Sequence, residues 1–376
     1  MQYQFINSQT ELDSFVSQIR SSAIIAIDTE FMRRKTLYPE IALIQVYDGN
    51  SLGVIDPLAP LEFDGLFSIL QDTSVMKVIH SPSEDIEVFQ KFAGFVPAPL
   101  FDTQFALLLL GHGNCVGFAN MVKSLLDLEI DKSESRTNWL QRPLTQEQLD
   151  YAASDVYYLL PCFELLKPQI DARNWNEIVV EESALVARKR SERLPDDELF
   201  TDIKNAWQLK PRDLAVLKVL SKWRQNKAEL KNLALSHVLK EHNMVEIAKR
   251  RPTSTTSLRN IPGVEPMEVN RYGKEILACI EQGKQIPESE CPERLKRLVD
   301  FPEYKKAFKQ IKHVLVEVAQ KHDIPFEVLA SKKQINQIIS WKWKKTDELK
   351  ERLLQPDLFQ AWRKDYIGSK LDEWKS

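Results

Sequence analysis

The chain has 376 residues, 43% of them hydrophobic, so it exceeds the usual size of one compact domain and its composition predicts two or three packed cores. Its net charge of -3 hides an asymmetry: residues 1–200 carry 16 Lys and Arg against 30 Asp and Glu, a balance of -14, and residues 201–376 carry 35 against 24, a balance of +11. No apolar run reaches membrane-spanning length, no basic-then-apolar leader opens the chain, and Cys115, Cys162, Cys279 and Cys291 show neither zinc-knuckle nor C-x-x-C spacing; a soluble cytoplasmic protein with reduced thiols is expected.

Closely spaced apolar runs at 23–27, 41–47 and 52–55, a helical stretch at 61–71 and a further run at 75–79 predict an α/β sheet with an antiparallel portion. Beyond Asp102 the pattern turns helical, with a polar loop at 131–138. The charge-rich segment 181–204, containing Pro195, reads as a connector. After Trp207 all is helical, broken at 252–256, at 261–264 and at 287–292. Val238-Leu239 followed by Met244 and Ile247 is echoed by Val328-Leu329 followed by Ile335 and Ile338, which suggests two small helical domains in tandem. The expected division is 1–195, 209–288 and 293–376.

In Ala23-Ile-Ile-Ala-Ile-Asp-Thr-Glu30 the strand period of two places Asp28 and Glu30 on one face of an otherwise apolar strand. They are either cation ligands or solvated residues beyond the sheet. In His80-Ser-Pro-Ser-Glu-Asp85, Ser81, Pro82 and Glu84 fit an N-cap, first-turn proline and capping-box glutamate. This reading gives Glu84 a structural task and leaves Asp85 as the candidate ligand. His80 either touches substrate or is a hydrogen-bonded strand end. Thr145 and Gln148 announce a helix on which Tyr151 and Asp155, four apart, share a flank away from the apolar stripe. Clustered carboxylates with a tyrosine suit phosphodiester hydrolysis, in which two hard cations about 3.5 to 4 Å apart generate the nucleophile and stabilise the leaving oxygen.

Taken in order, Asp28-Thr-Glu30, His80 to Asp85 and Tyr151-x-x-x-Asp155 resemble the three exonuclease motifs of the DEDD superfamily, in its tyrosine-containing branch. With Leu43-Ile-Gln45, Phe101-Asp-Thr-Gln104 and Asp131 to Trp139, most of residues 1–170 resembles the ribonuclease D family. That resemblance implies a ribonuclease-H-like exonuclease domain, with a mixed sheet flanked by helices. It implies two divalent ions, Mg²⁺ or Mn²⁺, on Asp28, Glu30, Asp85 and Asp155, with Tyr151 positioning the attacking water. It also implies release of 5′-mononucleotides from RNA 3′ ends, with tRNA precursors as the substrate class. Lys132 and Arg136 either contact backbone phosphates or are solvated.

Residues 211–283, with Leu220-Ser-Lys-Trp-Arg224, Val238-Leu239 and Ile261-Pro-Gly-Val264, are similar to HRDC domains, departing at Asn232-Leu-Ala234 where a proline is frequent. The final stretch is expected to be a divergent, all-α HRDC copy. Its Trp341, Trp343 and Trp362, interleaved with lysines and an arginine, either stack bases or fill a small core. The basic half suits a polyanion, since neutralising phosphates releases condensed counterions. A monomer without an obligate protein partner is expected. A DNA exonuclease and a non-catalytic nucleic-acid binder are the alternative readings.

Overall fold

The computed structural model describes residues 1–131 and 133–375, so Lys132 lies outside the described residues. Six strands, β1 (Gln4–Ile6), β2 (Ile24–Met32), β3 (Glu40–Tyr47), β4 (Leu52–Ile55), β5 (Met76–Ile79) and β6 (Leu100–Asp102), form one mixed sheet in the order β1-β4-β3-β2-β5-β6. β3 is antiparallel to β2 and β4, whereas β5 runs parallel to β2 and β6. The strand ends of β2, β5 and β6 therefore open on one side, where a site can be assembled from several segments.

Alternation along β2 explains why the strand is buried on both faces. Ile25 and Ile27 join Ile44 and Val46 beneath α1 (Gln9–Ile19), α2 (Asp64–Gln71) and α3 (Ser83–Phe92). Ala26 faces the other way, onto α4 (Thr103–Leu109), α5 (Phe118–Leu126) and the long α6 (Gln146–Asp171). Of the apolar stripe expected on α6, Leu149, Ala152, Ala153, Val156, Leu159 and Leu160, all are buried except half-buried Leu149. The helix α7 (Asn176–Ser191) runs into the region expected as a connector.

Five helices, α8 (Pro211–Lys231), α9 (Leu235–Val238), α10 (Glu241–Arg250), α11 (Thr255–Arg259) and α12 (Pro266–Gln285), enclose a separate core containing Leu214, Leu217, Met244, Ile247, Ile276 and Ile280. α8 and α12 approach so closely that a Cβ on Gly283 would lie 2.6 Å from Val216 Cα, a separation only glycine allows. This body meets the sheet domain through the β2–β3 loop: Ala234 N–H donates to the Lys35 carbonyl at 2.8 Å, and Tyr38 N–H to Asn232 Oδ1 at 3.2 Å.

The last helices are α13 (Tyr304–Lys321), α14 (Phe326–Leu329), α15 (Lys332–Lys344), α16 (Asp347–Glu351) and α17 (Ala361–Ile367). The faint repeat is structural: in each copy a buried Val-Leu pair lies at the end of a four-residue helix, Leu239 just past α9 and Leu329 the last residue of α14, and a longer helix carrying the two matched apolar residues follows. The apolar core here is continuous with that of the sheet domain. Glu182 of α7 seals the junction, accepting from Trp362 Nε1 at 2.8 Å and from the guanidinium of the buried Arg363. Trp362 belongs to this core, half-buried Trp343 packs against it and Trp341 is buried nearby on α15, as suits indoles with their large apolar area.

Candidate active site

Asp28 and Glu30 leave the sheet on the α6 side of β2, opposite Gln45 and Leu43 of β3, and the register slips just after Glu30. Residues of β2 that further back carry apolar side chains into the core thus carry carboxylates at its end. On α6, the capping box is present, with Gln148 N–H donating to Thr145 Oγ1 at 3.2 Å and Thr145 N–H to Gln148 Oε1 at 3.0 Å. It starts the helix in the register that turns Tyr151 and Asp155 toward β2. Carboxylate oxygens of Asp28, Glu30 and Asp155 lie within 4.8 Å of one another.

The second motif reaches the site differently from its sequence pattern. Ser81 is not an N-cap: it sits at φ +60, its N–H donates to Asp102 Oδ1 at 2.9 Å, and α3 begins only at Ser83. Asp102, at the neighbouring strand end, also accepts from Gln104 N–H at 2.8 Å and caps α4. One carboxylate therefore holds both chain turns, and the tertiary contact outcompetes the local cap. Glu84 is exposed, and its capping role is absent. Asp85 is buried and accepts from Thr29 Oγ1 at 2.5 Å. It stands outside the close triangle of Asp28, Glu30 and Asp155, yet its charge acts on all three.

These residues border a cavity of about 300 Å³ lined by Asp28, Glu30, His80, Phe118, Tyr151 and Asp155, with Ile130, Asp131, Ser135 and Leu159 among the rest of its wall. Burial, then the neighbouring carboxylates, push Asp28 and Glu30 well above the usual carboxylate range. Burial and Asp85 push Asp155 up to about 8. Asp85 rises only to about 6, because the Thr29 hydroxyl favours its ionised form against burial. Burial and the same cluster of acids raise the Tyr151 phenol, which stays protonated at neutral pH. Burial draws His80 down to about 4; its Nδ1 lies 2.9 Å from Thr103 Oγ1 and its ring meets the edge of Phe118. His80 is thus both hydrogen-bonded and at the cavity wall.

From the polar loop, Asp131 and Ser135 line the cavity, whereas Arg136 is exposed and does not. Thr29, Asp102 and Phe118 were missed as site residues. Only Asp102 carried a readable signal, an aspartate at a helix start.

Sheet order, acidic cluster and appended helical bodies define the class as a 3′–5′ exonuclease with HRDC domains. The chain matches the 3′-5′ exonuclease family over residues 3–171, the HRDC domain over 213–280 and the ribonuclease D C-terminal HRDC domain over 302–371. It is 40% identical to ribonuclease D of Cronobacter turicensis, covering 97% of this chain and 98% of that one, and 40% identical to ribonuclease D of Escherichia coli K12, covering 99% and 98%. The crystal structure of Escherichia coli RNase D, an exoribonuclease involved in structured RNA processing, superposes with a TM-score of 0.92 at 39% identity over 100% of this chain and 98% of that one. The chain belongs to the ribonuclease D family.

Proposed function

We propose that the chain is an exoribonuclease that removes 5′-mononucleotides from RNA 3′ ends with two divalent ions, Mg²⁺ or Mn²⁺, in the maturation of tRNA precursors. The observation that carries this is the triangle of Asp28, Glu30 and Asp155 within 4.8 Å, with Asp85 behind it. Among the described residues no Lys or Arg forms an ion pair with any of the four. Crowded, part-buried carboxylates without a cation oppose folding, so the donor set fits a cation of high charge. All-oxygen donors favour hard ions over zinc. Fully buried Gln45, opposite Asp28, has both side-chain polar atoms without a partner, further polar capacity beside the same site.

Asp28, Glu30, Asp85 and Asp155 would hold the ions, which when bound lower the pKa of water and offset charge on the leaving oxygen. The other tasks fall to the chain itself. Protonated Tyr151 donates a hydrogen bond that orients the attacking water. Neutral His80 adds no charge that would compete for the carboxylates. Phe118, Ile130 and Leu159 offer apolar surface to a terminal nucleoside and exclude bulk water. We assign Arg136 to a phosphate further along the strand. Units 209–288 and 293–376, rich in cations, serve the body of the RNA, and a cytoplasmic monomer suffices for both tasks.

The test uses matched 3′-tailed RNA and DNA with wild-type, Asp28→Asn and Asp155→Asn proteins. RNA is hydrolysed faster than DNA, and each variant loses hydrolysis while binding RNA as before. Equal or faster DNA cleavage sinks the RNA assignment, and undiminished activity in either variant sinks the ligand assignment.

A further inference from the structure

The 18 residues of α13 carry Lys305, Lys306, Lys309, Lys312 and Lys321 against the single acid Glu317. Lys305, Lys306, Lys309, Lys312 and His313 are all exposed. Their spacing of one, four, seven and eight residues puts them on one side of the helix, opposite the buried Ala307, Ile311, Leu315 and Val318. Among the described residues Lys305, Lys306 and Lys309 make no ion pair, and Lys312 only overlies the Phe326 ring at 5.7 Å. His313 pairs with Glu317 at 3.3 Å, and Glu303 is exposed at the helix start.

Folding alone does not account for this pattern. The first turn of α13 has no acid and two lysines, the wrong sign for a helix N-terminus. Lys305 with Lys309, and Lys306 and Lys312 with Lys309, are like charges at the spacing where opposite charges stabilise. The cations of α8 differ: Lys222 reaches Asp196, Lys227 reaches Glu275, and Arg212 is spent on carbonyls at the end of α12. Exposed Lys333 extends the positive surface, one turn before Asn336, which meets Tyr304 Oη at 2.9 Å.

We infer that this face of α13 is the surface that grips the sugar-phosphate backbone of structured RNA while the 3′ end is in the acidic cavity. Lys305 to Lys312 span about 10 Å of helix axis, enough to meet several phosphates. The inference rests on RNA being the substrate. It also places the grip on the last domain rather than on α8, where Lys222 and Lys227 are paired with acids, Arg212 is held by carbonyls, and Lys218 and Lys231 overlie Phe200 and Tyr272.

The experiment compares full-length wild type with the triple variant Lys305→Gln, Lys309→Gln, Lys312→Gln. Binding of an RNA hairpin with a single-stranded 3′ tail is measured in EDTA across a salt series, and hydrolysis of a trinucleotide in Mg²⁺. The slope of log K against log salt shrinks by about 2 to 3, at roughly 0.7 to 0.9 per lost phosphate contact, and low-salt affinity falls about tenfold or more. Trinucleotide hydrolysis stays at the wild-type rate, and the variant melts no lower than wild type. An unchanged slope and affinity in a variant that still hydrolyses the trinucleotide overturns the inference. A wild type that hydrolyses no RNA overturns instead the reading on which it rests.

Discussion

Thr29 Oγ1 donates to Asp85 Oδ1 at 2.5 Å, so the residue between the two strand carboxylates holds the one that arrives on a helix. Strand alternation sends Thr29 away from Asp28 and Glu30, and α3 brings Asp85 to meet it. Because this bond favours ionised Asp85, Thr29→Val leaves a buried carboxylate without its donor. The expected loss is about 1.5 to 3 kcal/mol of stability and about tenfold in Mg²⁺ affinity. Thr29→Ser restores both. Denaturant melts and Mg²⁺ titration by thermal shift check this, and equal Mg²⁺ affinity in Thr29→Val and wild type contradicts it.

Raised carboxylates make the metal-free protein pH-sensitive in an unusual direction. Asp28, Glu30 and Asp155 have folded-state pKa values above their unfolded ones, so the folded chain binds more protons over the window from about 4 to about 8. Their contribution to stability is greatest at the acid end and falls as pH rises, that of Asp155 being lost through about 8. His80, lowered to about 4, acts oppositely below its ordinary value of 6.5. The clean window is therefore about 6.5 to 8. Melting temperature in EDTA falls across it, Mg²⁺ removes the fall, and Asp155→Asn flattens it. A melting temperature in EDTA that rises over this window refutes the electrostatic account.

Tyr151 contributes a hydroxyl and little else that phenylalanine lacks. Tyr151→Phe keeps the ring against Trp139, 5.9 Å between centroids, and removes only the donor. kcat on RNA drops by about a hundredfold or more, with Mg²⁺ affinity and melting temperature unchanged. A loss confined to KM would show that the phenol binds substrate without acting on the reacting water.

The junction between α7 and the last helices depends on Glu182. Glu182→Gln leaves Arg363 buried without its counter-charge, at a cost of about 3 kcal/mol. The final helices then unfold at lower urea than the rest, and limited proteolysis cuts first after residue 293. A single transition at the wild-type midpoint excludes this role.

Much of the site was legible because it lies within single elements. The alternation through Ile27 to Glu30 and the Thr145–Gln148 box are local signals, and α6 obeys them in the register that brings Asp155 to β2. The short β1 and β6, three residues each, carry too little periodicity to be read. Ser81-Pro-Ser-Glu84 satisfies the local rule for a helix start. That rule loses because Asp102, distant in sequence, takes the Ser81 N–H and holds the residue at φ +60. In the polar loop the basic residues attract attention, yet Asp131 and Ser135 line the cavity, since loop direction is set by packing rather than by composition.

By itself the sequence determined which residues are acidic, which side of β2 they share and that the second half is basic, because period, capping and charge are properties of neighbours along the chain. The tertiary structure decided that Asp155 comes within 4.8 Å of Asp28 and Glu30, that Asp85 is tied to Thr29, and that the last helical body shares the exonuclease core while the first keeps a core of its own. Those outcomes depend on how separate segments compete for the same buried space and the same hydrogen-bond donors, a competition absent from any single stretch of chain.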